Sequence, residues 1–555
     1  MPEKEDIDIN LESLEEVKNS DKMGEVCAAD TDDVITLKIK NRPDDLKIGQ
    51  PVIIETQKTS EELLYYCLIN RLYYPKNDLA EKFANSPFTG LIPPSQIDGV
   101  RGKEFYGLAD LNCLKLINSK EGVLEIMREF DTIPPIFSKG REVKEEEINL
   151  IYKTSEHSES PGTLRGFQYE IPIDFEVLVK KPYGLFGRTG MGKSILNKIL
   201  CLYILKHQVS QLLLFDMQGE YGMVSRADKS KGLKFYFHDK IQIYRLGELE
   251  KEDESLDDSE SFIIYKDNIT SGDIIASAQT LKEPSINELI RIENLMKDGD
   301  LDDNNLLDAI NNISKDDIDE HDINPLSLRA LRNRIIRFDR YNFLIDRPES
   351  EREDSLKDIF NKLLDGKSIV IDFGKFGTTM HLYFFIANMI TRRLYNIYSQ
   401  KEDESELPPL VVVVEEAHKF LKSNLIRHTI FDRIAREMRK FQLTLAFVDQ
   451  RPSQIDDEVY SQIANSFIMS MNNDKDIDQV VKTLQNSKTY RGIISGLLKR
   501  QCFVFGDAIA VPTIMDVLNY NDESLVKTKL DSKELLSETL KKIDDTDMTK
   551  IFPND

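Results

Sequence analysis

Cysteine is scarce in this 555-residue chain and scattered where it occurs: Cys27, Cys67, Cys113, Cys201 and Cys502, with no CxxC pair and no histidine at a ligand spacing. That excludes a disulfide framework or a spaced zinc site and leaves reduced thiols as the expectation. Also missing is any run approaching the ~18 consecutive apolar residues that a membrane-spanning helix needs. The opening MPEKEDIDINLESLEE has neither a basic n-region nor an apolar h-region. The expectation is therefore a cytoplasmic protein with no membrane partner. Positive charge is short as well: 73 Lys and Arg face 97 Asp and Glu, a formal net charge of -24. A basic surface spread over the whole chain is excluded, so any nucleic-acid site has to be a local patch. What is present suffices for several cores, since 40% of residues are hydrophobic and the length accommodates about three to four domains of ~150 residues.

Texture divides the chain. Residues 1–20 form an acidic tail, with seven Asp and Glu against two Lys. Over 21–165 short β-rich runs, Val34–Ile39 and Pro51–Glu55, are broken by turn-forming Asp-Asp, Arg-Pro-Asp-Asp and Lys-Ile-Gly-Gln, a pattern that predicts a small β-barrel or sandwich. LLYYCLINRLYYP and VLEIMREF are mixed by pattern. From 166 to 515 buried runs of four to six apolar residues (YGLFG, QLLLFDM, SIVIDFG, LVVVVEEAH, FQLTLAFVDQ, SFIMSM) alternate with helical periods. This predicts an α/β domain, a mostly parallel sheet covered by helices. Within it, about 268–350 reads as a helical insertion, with SFIIY the one candidate strand nearby. Residues 516–555 read as a polar helical extension.

The chemistry is concentrated at strand ends. Gly187, Arg188, Thr189, Gly190, Met191, Gly192, Lys193 and Ser194 fit G-x-x-x-x-G-K-[ST] between the strand YGLF and the helix SILNKILCLYIL. Glycines let backbone N–H groups curl round phosphates at a helix N-terminus, Lys193 offsets the β/γ charge, and Ser194 offers a hydroxyl to Mg²⁺. ATP with Mg²⁺ is the expected ligand. The apolar run 410–414 ends in Glu415 and Glu416. Glu415 is placed at the Mg²⁺ shell, where Asp is more usual, and Glu416 is placed to polarise the attacking water. Gln450, at the tip of the strand Leu443–Val448, is the candidate γ-phosphate sensor. In FDRIAREMRKF the residues Arg433, Arg436 and Arg439 fall on one helix face, and an arginine there is a candidate for reaching an adjacent subunit's nucleotide.

GLFGRTGMGKS, LLLFDMQGEYG, VVVVEEAHKF, RIAREMRKF and FVDQRPSQIDDEVYSQIANSFIM together resemble, in order and character, the HerA/FtsK group of hexameric DNA-pumping ATPases, specifically its HerA branch. The N-terminal region is similar to that family's β-barrel. The resemblance implies a RecA-like P-loop NTPase core, a homohexamer, DNA as substrate and a nuclease or other effector enzyme as partner. It assigns Lys193 and Ser194 to the phosphate loop, Glu416 to the catalytic glutamate and Glu415 to the metal-shell acid. Arg439 takes the trans-acting position, with Arg436 as runner-up. Asp216–Tyr221 resembles a D-x-H-G-E-Y segment in which Gln218 replaces the histidine.

An acidic ring can still thread DNA through a channel lined by basic loops. Arg226, Lys229, Lys231 and Lys234 in SRADKSKGLK are the candidates. A second cluster, Arg329, Arg332, Arg334, Arg337 and Arg340, is interleaved with Leu, Ile and Phe at helical spacing, which favours helix packing with ion pairs. Two functions stay open at this point: a DNA translocase or helicase, and an ATP-dependent ring that scaffolds an effector enzyme in bacterial antiphage defence.

Overall fold

The computed structural model describes residues 22–30, 34–40, 43–57, 62–75, 106–120, 123–127, 132–226, 229–247, 259–277, 281–348, 354–400, 407–419, 421, 430–437, 442–484, 487–521 and 526. The acidic tail and nearly all of 516–555 lie outside that set. Residues through Lys153 together with Leu484–Ile493 form one compact unit; Thr154–Thr483 and the chain from Ile494 form the other. This division falls before the 165/166 change read from the sequence, because Gly162–Leu164 already pairs into the sheet of the second unit.

The first unit is built on strands β1 (Lys22–Ala29), β2 (Val34–Ile39), β3 (Pro51–Gln57), β4 (Glu62–Tyr73), β5 (Leu108–Lys120), β6 (Val123–Ile126) and β7 (Lys139–Arg141). Their order is β2-β1-β7-β3-β4-β5-β6, and a further pairing of β2 with β5 closes six of them into a barrel, with β6 appended. Burial along β2 alternates residue by residue, as a strand with one face to the core requires. LLYYCLINRLYY, patternless in the sequence, is β4, in which eight consecutive residues are buried. A strand covered on both faces loses its alternation, and so its signature. Val26, Leu37, Val52, Ile54, Tyr65 and Leu111 pack inside. Arg141 on β7 donates from Nη1 to Glu147 at 3.0 Å and is paired with Glu55 of β3. That buried, charge-assisted network ties β7 to β3 and to the helix Glu145–Ile151.

The second unit carries a pair of short strands, β8 (Ser158–Glu159) and β10 (Ile173–Asp174), and an eleven-stranded sheet. The sheet's members are β9 (Gly162–Leu164), β11 (Tyr183–Phe186), β12 (Gln211–Asp216), β13 (Ile241–Leu246), β14 (Ser259–Phe262), β17 (Ser368–Asp372), β18 (Leu410–Glu415), β19 (Leu443–Asp449), β20 (Asn465–Ile468), β21 (Gln501–Gly506) and β22 (Thr513–Val517). They lie in the order β14-β13-β17-β12-β18-β19-β11-β20-β21-β22-β9. From β14 to β20 every neighbour is parallel, and β21, β22 and β9 add an antiparallel edge. Each apolar run singled out above is one of the parallel strands, so the α/β, RecA-like core of the sequence reading holds. The antiparallel strands were not anticipated.

Between β14 and β17 the chain is helical over Ser271–Ser277, Glu283–Asp298, Leu306–Asn312, Lys315–Glu320 and Pro325–Ile335, with a small pair β15 (Ile264–Tyr265) and β16 (Leu344–Ile345) at its base. Arg332 and Arg337 pack as expected but by a different bond, whereas Arg329 and Arg340 are exposed. Arg332 donates to the carbonyls of Ile310 (2.8 Å) and Ile313 (2.7 Å), and Arg337 to that of Arg334 (2.8 Å). Orphan carbonyls at a helix C-terminus attract cations without any carboxylate. Among the described residues no helix is long and apolar enough to cross a membrane.

Candidate functional site

Strands β18, β19 and β11 are adjacent and parallel, so their C-terminal tips converge where open α/β sheets bind ligands. Register fixes the meeting point, since Phe186 pairs with Asp449 and Glu415 with Val448. The loop after β11 therefore lies beside the two acids and Gln450. They line a cleft of about 290 Å³, together with Thr189, Gly190, Gly192, Lys193 and Ser194. The other walls include Gln218, Glu220 and Lys499.

The loop is held by its glycines. Gly187 sits at φ 154° with β-carbon space closed by Met469 at 2.8 Å, and Gly192 at φ 111° starts the helix Lys193–His207. A side chain at either position would distort the curl. The helix N-terminus opens on the cleft and favours an anion there. The Lys193 ammonium donates to the carbonyls of Gly187 (2.6 Å) and Arg188 (3.2 Å). Burial lowers its pKa, against the pull of Asp449, Glu416, Glu415 and Glu220. Arg188 and Met191 face each other, Nε to Sδ at 3.3 Å.

The adjacent acids are unlike. Glu415 ends the strand, is 7% exposed, and accepts from the Tyr221 hydroxyl at 2.9 Å. Asn197 donates to that hydroxyl at 3.0 Å, and Tyr383 clasps the Glu415 backbone at 3.0 Å on both N–H and carbonyl. Burial, reinforced by Asp216 and Glu220, pushes its carboxyl up to about 8. Glu416 adopts φ 52°, a left-handed conformation that costs a non-glycine residue about 1–3 kcal/mol and that clusters at functional sites. Its N–H donates to the Val448 carbonyl at 2.9 Å, and its carboxylate accepts from Gln450 Nε2 at 3.0 Å. Gln450 Oε1 in turn accepts from the Thr189 hydroxyl at 2.6 Å. One amide thus bridges the phosphate loop and the second acid. Behind them, fully buried Asp449 accepts from His418 Nδ1 at 2.9 Å and from the Arg451 N–H at 2.6 Å.

Asp216 has a structural job. Its two oxygens accept from the N–H groups of Glu220 (2.9 Å) and Tyr221 (2.8 Å), closing the turn that aims Tyr221 at Glu415. Burial, with the charges of Asp372 and Glu220, raises it to about 6 against those two bonds. Gln218 is exposed on the cleft wall, and a buried carboxylate oxygen of Glu220 finds no hydrogen-bond partner among the described residues.

Could the site take a nucleotide with a divalent ion? Among the described residues no three Asp, Glu, His or Cys converge as a metal cluster; Mg²⁺ bound with a nucleotide usually takes one or two protein ligands and is completed by phosphate and water. Ser194 and Glu415 share the cleft wall. A buried carboxyl raised to about 8 and the orphaned Glu220 oxygen are both groups that a cation would satisfy. The residues fit Mg²⁺ held by a polyphosphate.

Lys193, Ser194, Glu415, Glu416 and Gln450 thus come together. Arg439 lies outside the described residues, as does the side chain of Arg436; Arg433 is exposed on the helix Ile430–Glu437. The basic segment needs correction. Lys234 is fully buried at 0% exposure, Arg226 is paired with Asp372, and the Lys231 ammonium lies over the Phe235 ring at 4.6 Å. Lys229 is exposed, its own N–H donating to the Ser225 carbonyl at 3.1 Å; Lys234 is lost to solvent because three of the four residues of the short helix Leu233–Tyr236, Leu233, Lys234 and Tyr236, are buried. Sequence reasoning missed Tyr221, Asn197, Tyr383, Asp449 and Lys499. A tyrosine closing the acidic turn after β12 was a legible signal; the other contacts are long-range.

The family model described as "Helicase HerA, central domain" matches residues 160–394. Over 428 residues the chain is 26% identical to the DNA double-strand break repair helicase HerA of Sulfurisphaera tokodaii, covering 73% of this chain and 79% of that protein. It is 25% identical over 407 residues to the protein of the same name from Saccharolobus solfataricus, covering 69% and 73%. The match to the Pyrococcus furiosus namesake, 36% over 130 residues, spans only 22% of this chain and 23% of that protein. Among solved structures, the unbound bacterial conjugative coupling protein TrwB is similar with a TM-score of 0.46 at 13% identity, covering 68% of this chain and 91% of that one. VirB4 of Thermoanaerobacter pseudethanolicus gives 0.45 at 12%, covering 66% and 97%.

Proposed function

We propose that this chain, which belongs to the HerA-type ATPases of the HerA/FtsK superfamily, hydrolyses ATP in the cleft at the tips of β11, β18 and β19 and couples turnover to movement on duplex DNA. One observation carries the reading: phosphate loop, paired acids and bridging glutamine share one cleft wall at the carboxyl edge of a parallel sheet.

The geometry supports the following roles. The curled loop and the helix start at Lys193 receive the β-phosphate, and Lys193 exchanges its two carbonyl contacts for phosphate oxygens. Glu416, turned toward the cleft by its left-handed backbone and held through Gln450, orients and polarises the attacking water. Ser194 and Glu415 would hold Mg²⁺, whose charge would offset that developing on the phosphates. Tyr221 and Tyr383 keep Glu415 in place for that purpose. In this reading six subunits form a ring, Arg439 acts in trans and Arg436 is its alternate. A nuclease or other effector enzyme is the partner, and channel-facing cations, Lys229 foremost, touch DNA.

The test is ATPase turnover with and without duplex DNA, in the wild type and in Glu416→Gln. DNA-stimulated turnover that collapses in the variant supports the mechanism; unchanged turnover in the variant overturns it. The reduced set of exposed cations in 226–234 gives the effector-scaffold reading its own support. Triplex displacement separates the two: ATP-driven displacement favours the translocase, and a DNA-independent ATPase bound stably to an effector favours the scaffold.

A further inference from the structure

One wall of the cleft comes from a part of the chain more than 300 residues after the phosphate loop. Entering β21, the chain makes a tight turn in which the Gln501 N–H donates to the Leu498 carbonyl and the Leu498 N–H to Gln501 Oε1, each at 3.0 Å. Arg500 sits in this turn at φ 64°. A non-glycine residue stays in that region only where its surroundings over-determine it, and the surroundings are visible. The Arg500 N–H donates to the carbonyl of Met191, inside the phosphate loop, at 3.0 Å, and its own carbonyl accepts from the Val517 N–H of β22 at 2.8 Å. Its guanidinium is drawn aside to Asn519 Oδ1 at 2.8 Å. The turn is fastened to the phosphate loop through backbone, and the residue it presents to the cleft is the one before, Lys499.

Lys499 is exposed and shares the cleft wall with Lys193, Ser194, Glu415, Glu416 and Gln450. The remaining lysine of that wall, Lys198, is buried and donates to Ser230 at 2.7 Å. Three acidic side chains, Glu220, Glu415 and Glu416, line the same space. A triphosphate entering there adds like charge, and a second mobile cation beside Lys193 meets it.

We propose that Lys499 is a nucleotide-binding residue acting in cis, its ammonium contacting the phosphates of the nucleoside triphosphate bound in its own subunit. The proposal rests on the ATP reading given above. It also makes the β21–β22 hairpin a second, sequence-distant support of the phosphate site.

The test is equilibrium binding of a fluorescent, non-hydrolysable ATP analogue with Mg²⁺ to the full chain. Lys499→Ala is expected to weaken binding about five- to tenfold and Lys499→Glu more, as for loss of a charge-assisted contact at a solvent-open site. Lys499→Arg is expected to stay within about twofold of the wild type, because the charge is kept. The melting temperature without nucleotide should be the same in all of them, since the side chain is exposed. Wild-type-like affinity in Lys499→Ala and Lys499→Glu, with the wild type binding normally, overturns the assignment alone. A wild type that takes up no nucleotide overturns the ATP reading itself, and this assignment with it.

Discussion

Two regions invited a functional reading on charge alone, and the fold treated them oppositely. At the tip of β18, Glu415 and Glu416 both reach the nucleotide cleft; in the segment 226–234 the cations disperse, one into the core, one onto an acid and one onto a ring. A strand end in a parallel sheet is placed by the ladders on either side, so adjacent strand tips must meet. A loop has no such constraint, and its charges go wherever local packing and pairing satisfy them. Charge at a strand tip is evidence of position, whereas charge in a loop records composition.

The largest expected effect tests the strand-tip half of that contrast. Glu416→Gln keeps the size and the hydrogen bond to Gln450 but not the base, so turnover should fall about 10²–10⁴-fold with analogue binding retained; turnover within tenfold of the wild type would break the comparison. Next comes the loop. Lys234→Glu buries an uncompensated charge at a fully buried position and should destabilise the protein by roughly 3–5 kcal/mol in denaturant unfolding. Were it tolerated without loss of stability, Lys234 would have to be read as a surface cation after all.

Smaller, and dependent on pH, is the effect at Asp216, raised to about 6 by burial and by Asp372 and Glu220. A carboxyl whose folded value lies above its unfolded one stabilises fully below the unfolded pKa, and that contribution is lost as pH rises through the folded pKa. The wild type's stability advantage over Asp216→Asn should therefore shrink between about pH 4 and pH 7, by on the order of 2–3 kcal/mol. Thermal or denaturant melts at fixed ionic strength would show it; a constant gap argues against the buried titration. The smallest stability change belongs to Lys229→Glu, within about 0.5 kcal/mol because the residue is exposed. Its signature is a weaker DNA stimulation of the ATPase, and full stimulation would remove this loop from the DNA path.

Legibility in the sequence followed the same physics. YGLF, QLLLFD, SIVID, LVVVV and LTLAFV were readable because strands buried on both faces give uninterrupted apolar runs, and the loop motif was readable because only glycine tolerates its conformation. The barrel was readable where one face alternates, as in Val34–Ile39, and unreadable at Glu62–Tyr73, where both faces are covered. Strands β21 and β22, in the antiparallel part of the sheet, escaped notice because nothing in QCFVFG or TIMDV encodes antiparallel pairing. Within the cleft the residue identities were visible, but three determinants were not. These are the left-handed turn at Glu416, the Tyr221 and Tyr383 clasp on Glu415, and Lys499 arriving from the far end of the chain. Each depends on contacts between residues far apart in sequence, 194 positions for Tyr221 and 32 for Tyr383, or on a dihedral angle without a residue signature.

The carboxamide of Gln450 is engaged at both ends, accepting at Oε1 from Thr189 and donating from Nε2 to Glu416. The amide is planar, so a shift of the phosphate loop at Thr189 is carried to Glu416 through a single rigid group. The loop and the second acid are thereby joined mechanically as well as by proximity, and moving one without the other costs a hydrogen bond.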